Sequence, residues 1–289
     1  MQGTFEVTAA GDLLPFLFAK LPEVKRTKVR QWLKYSGVKV NGRVVTSHAH
    51  QLQPGDTVNL EPQEKPAPGA KLPAGMKIVF EDEAILVIEK PANLLSIATK
   101  AENEATAYAR LTDYVRQGRR GRGARVWIVH RLDRETSGLM VFFFFFDAKS
   151  ALQSGGSCGG KKRLAAVDGQ PPKPAGTLRS HLDETDPYRV RSTRESEHTR
   201  LAVTHYQTLK QTAKRALVEL TLETGRRHQI RVQLAEAGCP VVGDPKYHPA
   251  GAQGQRLALH ASSLKLPHPV SGERLEFASA LPDALARLL

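Results

Sequence analysis

Cysteine is nearly absent from this chain: its 289 residues include only two, Cys158 and Cys239. Two thiols are too few for a disulfide framework or for a four-thiolate zinc site. The ten histidines form no H-E-x-x-H motif, and no C-x-x-C pair occurs. We therefore expect a protein of a reducing compartment that requires no metal ion. We expect no other cofactor either, since the chain has no nucleotide-binding motif.

Long apolar segments are lacking as well. The longest apolar run, residues 139–146, is too short to cross a bilayer. Residues 1–6 lack the basic start and apolar core of a signal peptide. Hydrophobic residues make up 40% of the chain and charged residues 25%, which is ordinary for a folded protein. These features predict a soluble, cytoplasmic protein, and its apolar segments give no reason to expect a membrane partner.

Acidic residues are scarce relative to basic ones. The chain has 29 Asp plus Glu against 42 Lys plus Arg, which leaves a formal net charge of +13. Such an excess attracts polyanions, so nucleic acid and anionic membrane surfaces lead the candidate partners. A generally basic, solvated surface would give the same count, and the charge alone does not decide between these readings.

Proline and glycine are concentrated at one place. Residues 62–75 contain four prolines and two glycines, a composition that disfavours helix and strand and is typical of a linker. The sequence therefore predicts a small N-terminal domain at residues 1–61 and a large one at residues 76–289. The length of the chain is sufficient for two such domains.

The N-terminal segment carries a basic helix followed by a hairpin. Residues 25–36 predict a helix, with Val29 and Leu33 on its apolar face and basic residues over the rest, and Gly37 is expected to end it. Residues 38–45 predict two strands joined by a tight Asn-Gly turn. A second turn at residues 54–56 precedes a strand at residues 57–60.

This segment resembles the S4 RNA-binding domain at residues 26–33, 37–43 and 53–58. A basic helix beside a basic hairpin forms a cationic surface that can lie against the phosphates of structured RNA. A merely solvated charged face is the alternative for any single lysine. The resemblance implies a set of RNA-binding residues: Arg26, Lys28, Arg30, Lys34, Lys39 and Asn41.

The large segment predicts an α+β fold with a mixed, mainly antiparallel sheet. Strand patterns occur at residues 76–83 and 85–91 around an acidic turn, and a buried strand pattern at residues 126–129. Residues 216–223 and 229–234 also show strand-like alternation, whereas residues 105–115 and 282–289 favour helices.

One carboxylate occupies a chemically suggestive place. Asp133 follows a strand pattern, lies between Arg131 and Arg134, and precedes a Thr-Ser-Gly turn. A nearby cation keeps an aspartate ionised and ready to act as a nucleophile or a base. The alternative is a surface aspartate in an ion pair with one of the two arginines.

Four segments together resemble the RluA-type pseudouridine synthases. They are HRLDRETSGL at residues 130–139, ETGRRHQIRV at residues 223–232, ILVIEKPANLL at residues 85–95 and AVTHY at residues 202–206. The resemblance implies that Asp133 is the catalytic aspartate and that Arg231 is the arginine that pairs with it. It further implies that Arg131 fills the gap left by the flipped uridine, and Arg134 is a further candidate for RNA contact.

The implied reaction isomerises uridine to pseudouridine in structured RNA. The base leaves C1′ through N1, rotates and rejoins through C5, after it has been flipped out of the RNA stack. Asp133 could attack C1′, attack C6 or remove the C2′ proton, and the sequence does not choose among them. Large-subunit ribosomal RNA is the preferred substrate and transfer RNA the alternative. We expect a monomer.

The chain departs from the family pattern at residues 142–163. Five consecutive phenylalanines at residues 142–146 are followed by the start of a helix pattern and a Gly/Ser-rich stretch at residues 154–160. The family's base-stacking tyrosine falls at Arg163, which can stack but has no phenol. Three explanations remain open: a divergence with altered activity, replacement by a tyrosine such as Tyr188 or Tyr206, or an error in this stretch.

Two other functions are compatible with these observations. The first is a non-catalytic RNA-binding or ribosome-assembly factor on a decayed synthase scaffold, which the arginine at position 163 favours. The second is an aspartate-based hydrolase with another anionic substrate, which would leave the S4-like segment unexplained.

Overall fold

The computed structural model divides the chain into two compact units, one containing residues 1–70 and the other residues 71–116 and 122–289. It describes residues 3–34, 38–45, 47, 50–60, 75–98, 106–117, 124–145, 160–252 and 254–289. The predicted linker at residues 62–75 lies outside the described residues, apart from Gly75.

The smaller unit packs two helices against short strands. Its elements are β1 (Gly3–Glu6), β2 (Gly11–Asp12), α1 (Leu13–Lys20), α2 (Arg26–Lys34), β3 (Val38–Val40), β4 (Arg43–Val44), β5 (Gln51–Leu52) and β6 (Thr57–Leu60). One sheet has the order β1-β6-β3-β4, and β2 pairs with β5. Val29 and Leu33 of α2 are fully buried against Leu13 and Leu17 of α1, because each helix turns one apolar face inward.

Local sequence signals in this unit are confirmed. The helix predicted at residues 25–36 is observed as Arg26–Lys34, whereas the predicted stop at Gly37 lies outside the described residues. Asn41 and Gly42 have φ values of 49° and 76°, so both central residues of the hairpin turn are left-handed. That conformation is the reason Asn-Gly is favoured in two-residue hairpins.

The larger unit is built around one extended sheet. Its strands are β7 (Lys77–Glu81), β8 (Ile85–Lys90), β9 (Trp127–Ile128), β10 (Ser137–Phe143), β11 (Lys162–Asp168), β12 (Ala175–Asp183), β13 (Arg191–Thr193), β14 (Thr199–Gln211), β15 (Arg215–Leu222), β16 (Leu259–Pro267) and β17 (Arg274–Ala278). Helices α3 (Ala107–Gln117), α4 (Gln229–Glu236) and α5 (Asp283–Ala286) and a 3-10 turn (Pro249–Gly251) complete the described part of this unit.

The strands run in the order β13-β12-β14-β15-β11-β16-β10-β8-β7, with β9 paired to β10 and β17 to β16. Among the described pairs only β10–β16 is parallel. The predicted class, α+β with a mixed and mainly antiparallel sheet, is thus confirmed. Apolar cores lie around Leu220 and Leu259, and around Ile88, Leu111 and Phe142.

The strand prediction for residues 229–234 is wrong. These residues form helix α4, and all six of them are buried. Hydrophobic alternation identifies a strand only when one face is exposed, and here polar and apolar side chains are buried alike. Gln229, Arg231 and Gln233 satisfy their polar groups through internal hydrogen bonds.

The phenylalanine run begins as a central strand. Phe142 and Phe143 end β10, in which all seven residues are buried, as is expected of a strand covered on both faces. Phe146 and the segment that departs most from the family pattern, residues 147–159, lie outside the described residues. The segment predicted as a buried strand at residues 126–129 forms only the two-residue strand β9, with half-buried side chains.

Candidate active site

A cleft of about 660 Å³ opens in the larger unit beside Asp133. Its walls come from the segment between β9 and β10, from the start of β11, and from the turn that leads into α4. Its lining includes ten polar residues: His130, Arg131, Asp133, Thr136, Arg163, Glu184, Arg226, Arg227, His228 and Arg231. Five of these are arginines and two are acids, so cationic groups outnumber carboxylates in the cleft and favour an anionic ligand.

The backbone on both sides of Asp133 is fixed by two buried side chains. Ser96 Oγ donates to the carbonyl of Leu132 (2.7 Å) and accepts from the amide of Leu132 (3.1 Å). Lys90 Nζ donates to the carbonyl of Arg134 (3.1 Å) and also to that of Leu94 (2.7 Å). Because the residues before and after Asp133 are both held, the position of its carboxylate is set before any ligand binds.

Glycine is required where this segment enters the sheet. Gly138, the second residue of β10, has a φ of +111°, and a Cβ at this position would collide with the backbone of Ala261 in β16. Glycine at position 138 is therefore needed for the close parallel pairing of β10 and β16. This local requirement fixes where the loop that carries Asp133 ends. The turn predicted at residues 136–138 is wrong, because Ser137 and Gly138 already belong to the strand.

Arg231 of α4 joins Asp133 to a buried ion-pair network. Its Nη1 lies 3.4 Å from Asp133 Oδ2 and 3.6 Å from Glu135 Oε2. Its Nε and Nη2 donate to the two oxygens of Asp244 at 2.7 and 2.8 Å, a bidentate pair. Since the side chain of Arg231 is 1% exposed and that of Asp244 0%, the guanidinium is held rigidly while its third nitrogen reaches Asp133.

Tyr247 covers the other side of this arginine. The Arg231 guanidinium lies 5.4 Å from the Tyr247 ring centroid, and the Tyr247 hydroxyl lies 2.9 Å from Nδ1 of His228. The amide of Val190 donates to the same hydroxyl at 3.0 Å. The ring and its hydrogen bonds therefore connect the catalytic arginine candidate to the turn before β13.

Buried cations and neutral imidazoles dominate the electrostatics of the site. Burial lowers the pKa of Lys90 to about 8, although the charges of Asp133 and Glu135 oppose this shift. Burial likewise lowers the pKa of Arg163 to about 10, opposed by Asp133. Burial also lowers the pKa of His228 to about 4, so its ring is neutral at pH 7.

His130 is a neutral ring with an unused polar atom. Burial, reinforced by Lys161 and Arg163, holds its pKa well below the usual value. Its Nε2 accepts from the amide of Val141 (3.1 Å), which places the ring proton on Nδ1. Among the described residues, neither His130 Nδ1 nor Thr136 Oγ1 has a hydrogen-bond partner, and both side chains line the cleft.

The sequence-predicted residues of the larger unit separate into two groups. Asp133, Arg131, Arg163 and Arg231 all line the cleft. Arg163 is 5% exposed and donates from Nη1 to the carbonyl of Lys162 (3.0 Å). Arg134 is exposed and is not a lining residue. The sequence thus located the carboxylate and three of the arginines around it.

The two tyrosines considered as replacements at position 163 do not occupy the cleft. Tyr206 is buried in the core beside β11, and Tyr188 is 78% exposed on a turn between β12 and β13. Neither lines the cleft, so replacement of the family's tyrosine by either residue is not supported.

The predicted RNA-binding residues of the smaller unit differ in their exposure. Arg26 and Arg30 are exposed and lie 5.3 and 5.4 Å from the Phe18 ring centroid, and Lys28 lies 5.7 Å from that of Trp32. Lys39 is half-buried in β3. The side chain of Lys34 lies outside what the structure describes.

Asn41 has a structural role that the sequence did not reveal. Its Nδ2 donates to Asp56 Oδ1 (2.8 Å), and its Oδ1 accepts from the amide of Thr57 (2.8 Å). Both polar groups of the side chain therefore stabilise the hairpin against the neighbouring turn. The side-chain amide of Asn41, predicted to bind RNA, therefore already makes hydrogen bonds within the smaller unit.

Sequence reasoning missed Lys90, Ser96 and Asp244. Lys90 and Asp244 lie within segments that resemble the family, but no local pattern shows that a lysine or an aspartate will be buried. The signal that could have found them is chemical: a buried arginine such as Arg231 requires a carboxylate partner. Only the fold identifies that partner as Asp244.

The described part of the chain contains neither a metal-binding cluster nor a membrane-spanning helix. No group of three or more His, Cys, Asp or Glu side chains there is arranged to hold a metal ion. None of the described helices has the length and apolar character needed to cross a membrane.

Comparison with known proteins is consistent with this geometry. A family model described as RNA pseudouridylate synthase matches residues 84–236, and one described as S4 domain matches residues 13–58. A Bacillus subtilis (strain 168) protein named uncharacterized RNA pseudouridine synthase YlyB is 34% identical over 283 residues, which cover 95% of this chain and 91% of that protein.

Two further relatives extend the comparison. The ribosomal large subunit pseudouridine synthase D of Xanthomonas campestris pv. campestris is 33% identical over 309 residues, covering 100% of this chain and 91% of that protein. Among solved structures, human RNA pseudouridylate synthase domain containing 4 aligns with a TM-score of 0.60 at 27% identity, over 72% of this chain and 90% of that one.

Proposed function

The chain belongs to the RNA pseudouridylate synthase family, an isomerase family acting on RNA, and from this premise we propose that it converts uridine to pseudouridine in large-subunit ribosomal RNA. The choice of substrate is supported by several relatives named ribosomal large subunit pseudouridine synthase D, which are 30–33% identical over most or all of the chain. We further propose a monomer that works in the cytoplasm.

One observation carries the assignment of the reacting group. Asp133 presents a carboxylate to the cleft with its side chain 18% exposed, its flanking backbone held by Ser96 and Lys90, and Arg231 at 3.4 Å. A carboxylate that is fixed in position and partly accessible is what the isomerisation requires of its catalytic residue. We assign Asp133 that role and Arg231 the role of keeping it charged and oriented.

The chemistry assigned to Asp133 begins with a flipped uridine in the cleft. The carboxylate then attacks C1′ or C6, or removes the C2′ proton, so that the N1–C1′ bond breaks. After the base rotates, C5 bonds to C1′ while the bond to Asp133 breaks or the C2′ proton returns. The C5 proton is then lost and N1 gains a proton, which restores the conjugated uracil ring. No electrons are gained or lost overall, since substrate and product are isomers.

The remaining arginines are assigned to RNA. Arg131 is exposed at the cleft, where it can fill the space that the flipped uridine leaves in the RNA stack. Arg26, Lys28 and Arg30 present exposed cations on one helix, a geometry suited to phosphate contacts. We propose an S4-like RNA-binding domain at residues 1–61, a linker at residues 62–75 and a catalytic domain at residues 76–289.

Arg163 favours a second candidate, an RNA-binding assembly factor without catalysis. The side chain is buried in the cleft wall at the position of the family's tyrosine, and a guanidinium cannot act as a phenolic acid or base. Its planar cation can nevertheless stack on a base and attract the Asp133 carboxylate. The two candidates differ in whether product forms.

The test is site-resolved mapping of pseudouridine in unmodified ribosomal RNA, with transfer RNA in parallel. We expect product from the wild-type chain and a loss of at least about 1,000-fold with Asp133→Asn, since the amide can neither attack nor accept the proton. Glu135→Gln is the matched control, because Glu135 contacts the same arginine but does not line the cleft.

Each outcome separates the candidates. Normal turnover by Asp133→Asn would contradict the assignment of the catalytic residue. RNA binding with no product from the wild-type chain, but product from Arg163→Tyr, would identify the chain as an assembly factor on a synthase scaffold. Pseudouridine formed in transfer RNA alone would identify transfer RNA as the substrate in place of ribosomal RNA, and the assigned chemistry would remain the same.

A further inference from the structure

Tyr188 is an exposed aromatic side chain beside the cleft. It lies in the segment between β12 and β13, and it is 78% exposed, compared with 50% for Leu209 and 40% for Leu201. Isolated exposed apolar residues are common on protein surfaces, so exposure alone assigns no role. The construction of the surrounding turn is what distinguishes this tyrosine.

The turn is fixed internally by its own acidic side chains. Asp186 Oδ1 accepts from the amides of Tyr188 (2.8 Å) and Arg189 (3.2 Å). Asp183 Oδ1 accepts from the amide and the hydroxyl of Thr185 at 2.8 and 2.6 Å. Both carboxylates are thus engaged by the turn itself, and the backbone of Tyr188 is held in one conformation.

The same turn is fastened to residues of the cleft. The guanidinium of Arg227, a lining residue, donates to the carbonyls of Pro187 (2.5 Å), Glu184 (3.2 Å) and Asp186. Lys246 Nζ donates to the carbonyl of Tyr188 at 2.5 Å.

The end of the turn is linked to the arginine of the site. The amide of Val190 donates to the hydroxyl of Tyr247, whose ring covers Arg231. The network that positions Arg231 beside Asp133 therefore also positions the turn that carries Tyr188.

Cationic residues are neighbours of Tyr188 in the chain and of its turn in the fold. Arg189 follows it directly, with its guanidinium 5.7 Å from the Tyr247 ring centroid, and Lys246 binds its carbonyl. Arg226 and Arg227 lie on the adjoining wall of the cleft. Rigid aromatic rings flanked by cations are the usual means by which proteins bind unpaired bases, with stacking on the ring and phosphates on the cations.

We propose that Tyr188 is a stacking platform for an unpaired nucleobase of the RNA, next to the uridine that enters the cleft. The proposal rests on the proposed function, since it takes RNA as the molecule that occupies the cleft. A fixed platform lowers the entropic cost of ordering the RNA strand at the cleft, and its contribution should appear in binding rather than in the chemical step.

The experiment measures the affinity of full-length protein for large-subunit ribosomal RNA transcribed in vitro, in the Asp133→Asn background so that no turnover occurs. We expect Tyr188→Ala to weaken binding about tenfold and Tyr188→Phe to restore it, because the ring and not the hydroxyl makes the stack. Leu209→Ala removes another exposed apolar side chain and should bind normally. With Asp133 present, Tyr188→Ala should raise KM and leave kcat within about twofold.

The salt dependence provides an independent readout. Tyr188→Ala should leave the slope of log Kd against log salt unchanged, since no phosphate contact is lost. An affinity within twofold of the parent, or failure of Tyr188→Phe to restore binding, would overturn the proposal. Weaker binding with an altered salt slope would also overturn it, because the tyrosine would then act through displaced arginines.

The design separates this inference from the proposed function. If the wild-type chain forms pseudouridine and Tyr188→Ala in the Asp133→Asn background binds normally, only the stacking platform fails. If no variant forms pseudouridine but Tyr188→Ala still binds weakly and Tyr188→Phe binds normally, the platform stands and the catalytic assignment fails.

Discussion

Arginine has two different environments in the two units of this protein. In the smaller unit, Arg26 and Arg30 are exposed and lie over the single ring of Phe18. In the larger unit, Arg231 is 1% exposed and donates two hydrogen bonds to Asp244 while its third nitrogen reaches Asp133. Each exposed cation adds a small electrostatic attraction for RNA phosphates, and dissolved salt screens that attraction. A buried arginine that lacks one of its partners instead destabilises the fold.

This difference predicts unequal effects for chemically similar substitutions. Loss of a partner in the buried network leaves a charge in a medium that cannot solvate it. Loss of an exposed cation removes one of several interchangeable phosphate contacts. The same comparison applies to Lys90, whose fully buried ammonium group donates to three backbone carbonyls.

The largest loss of stability should come from Asp244→Asn. The substitution leaves Arg231 buried without its bidentate partner, and we expect the free energy of unfolding to fall by about 3–5 kcal/mol. We also expect pseudouridine formation in single-turnover assays to fall about 100-fold, because Asp133 loses its fixed neighbour. Denaturant unfolding and product mapping provide the two measurements.

A matched pair near the surface provides the control for that prediction. Asp168 binds Arg215 at 2.8 Å, and its side chain is 28% exposed. Asp168→Asn should therefore cost no more than about 1 kcal/mol and leave activity intact. Equal losses from Asp168→Asn and Asp244→Asn would show that burial is not what makes the Arg231 network sensitive.

The buried lysine, Lys90, should have an intermediate effect on stability, and this effect should depend on pH. Burial lowers the pKa of Lys90 in the folded protein to about 8 from 10.5. Between these values the unfolded chain binds more protons, so stability from this group rises as pH increases from about 8 to 10.5. The difference in unfolding free energy between wild type and Lys90→Met should therefore grow by about 1–3 kcal/mol from pH 8 to pH 10.

Taking the difference between the two proteins cancels the other groups that titrate in this range. Denaturant unfolding at pH 7, 8, 9 and 10 measures it directly. A difference that stays constant, or that shrinks as the pH rises, would show that the ammonium group of Lys90 is better stabilised by Asp133 and Glu135 than by water.

The smallest effect should come from the exposed helix α2. Arg30→Gln should weaken binding of ribosomal RNA about threefold at moderate salt and reduce the slope of log Kd against log salt by about one. Arg274→Gln, on strand β17 of the larger unit, removes an exposed arginine elsewhere. A slope that falls equally for both variants would mean that α2 has no special share in RNA binding.

Much of the local structure could be predicted because its causes lie close together in the chain. The Asn-Gly turn at residues 41 and 42, the helix at Arg26–Lys34 and the strands around Ile88 follow from the conformational preferences and the periodicity of neighbouring residues. The prediction of Asp133 as the catalytic candidate rests on the same kind of signal, since its motif is a continuous run.

The helix at Gln229–Glu236 shows where this reasoning ends. Its alternating pattern predicted a strand because periodicity assumes one solvent-exposed face, and this segment has none over its first six residues. Polar groups such as Gln233 Nε2 are satisfied by the carbonyls of Leu178 and Ala202, from strands that are distant in the chain. No local window contains those partners.

The sequence by itself determined the α+β class, and it predicted the two-part organisation, the basic helix α2 and Asp133 as the candidate catalytic carboxylate. Tertiary structure alone decided that Arg231 is shared between Asp133 and Asp244, that Lys90 and Ser96 hold the backbone around Asp133, and that Arg163 is buried while Tyr188 is exposed. The physical reason is that preferences of neighbouring residues act along the chain, whereas the burial and the partner of a charge depend on segments that meet only when the sheet is complete.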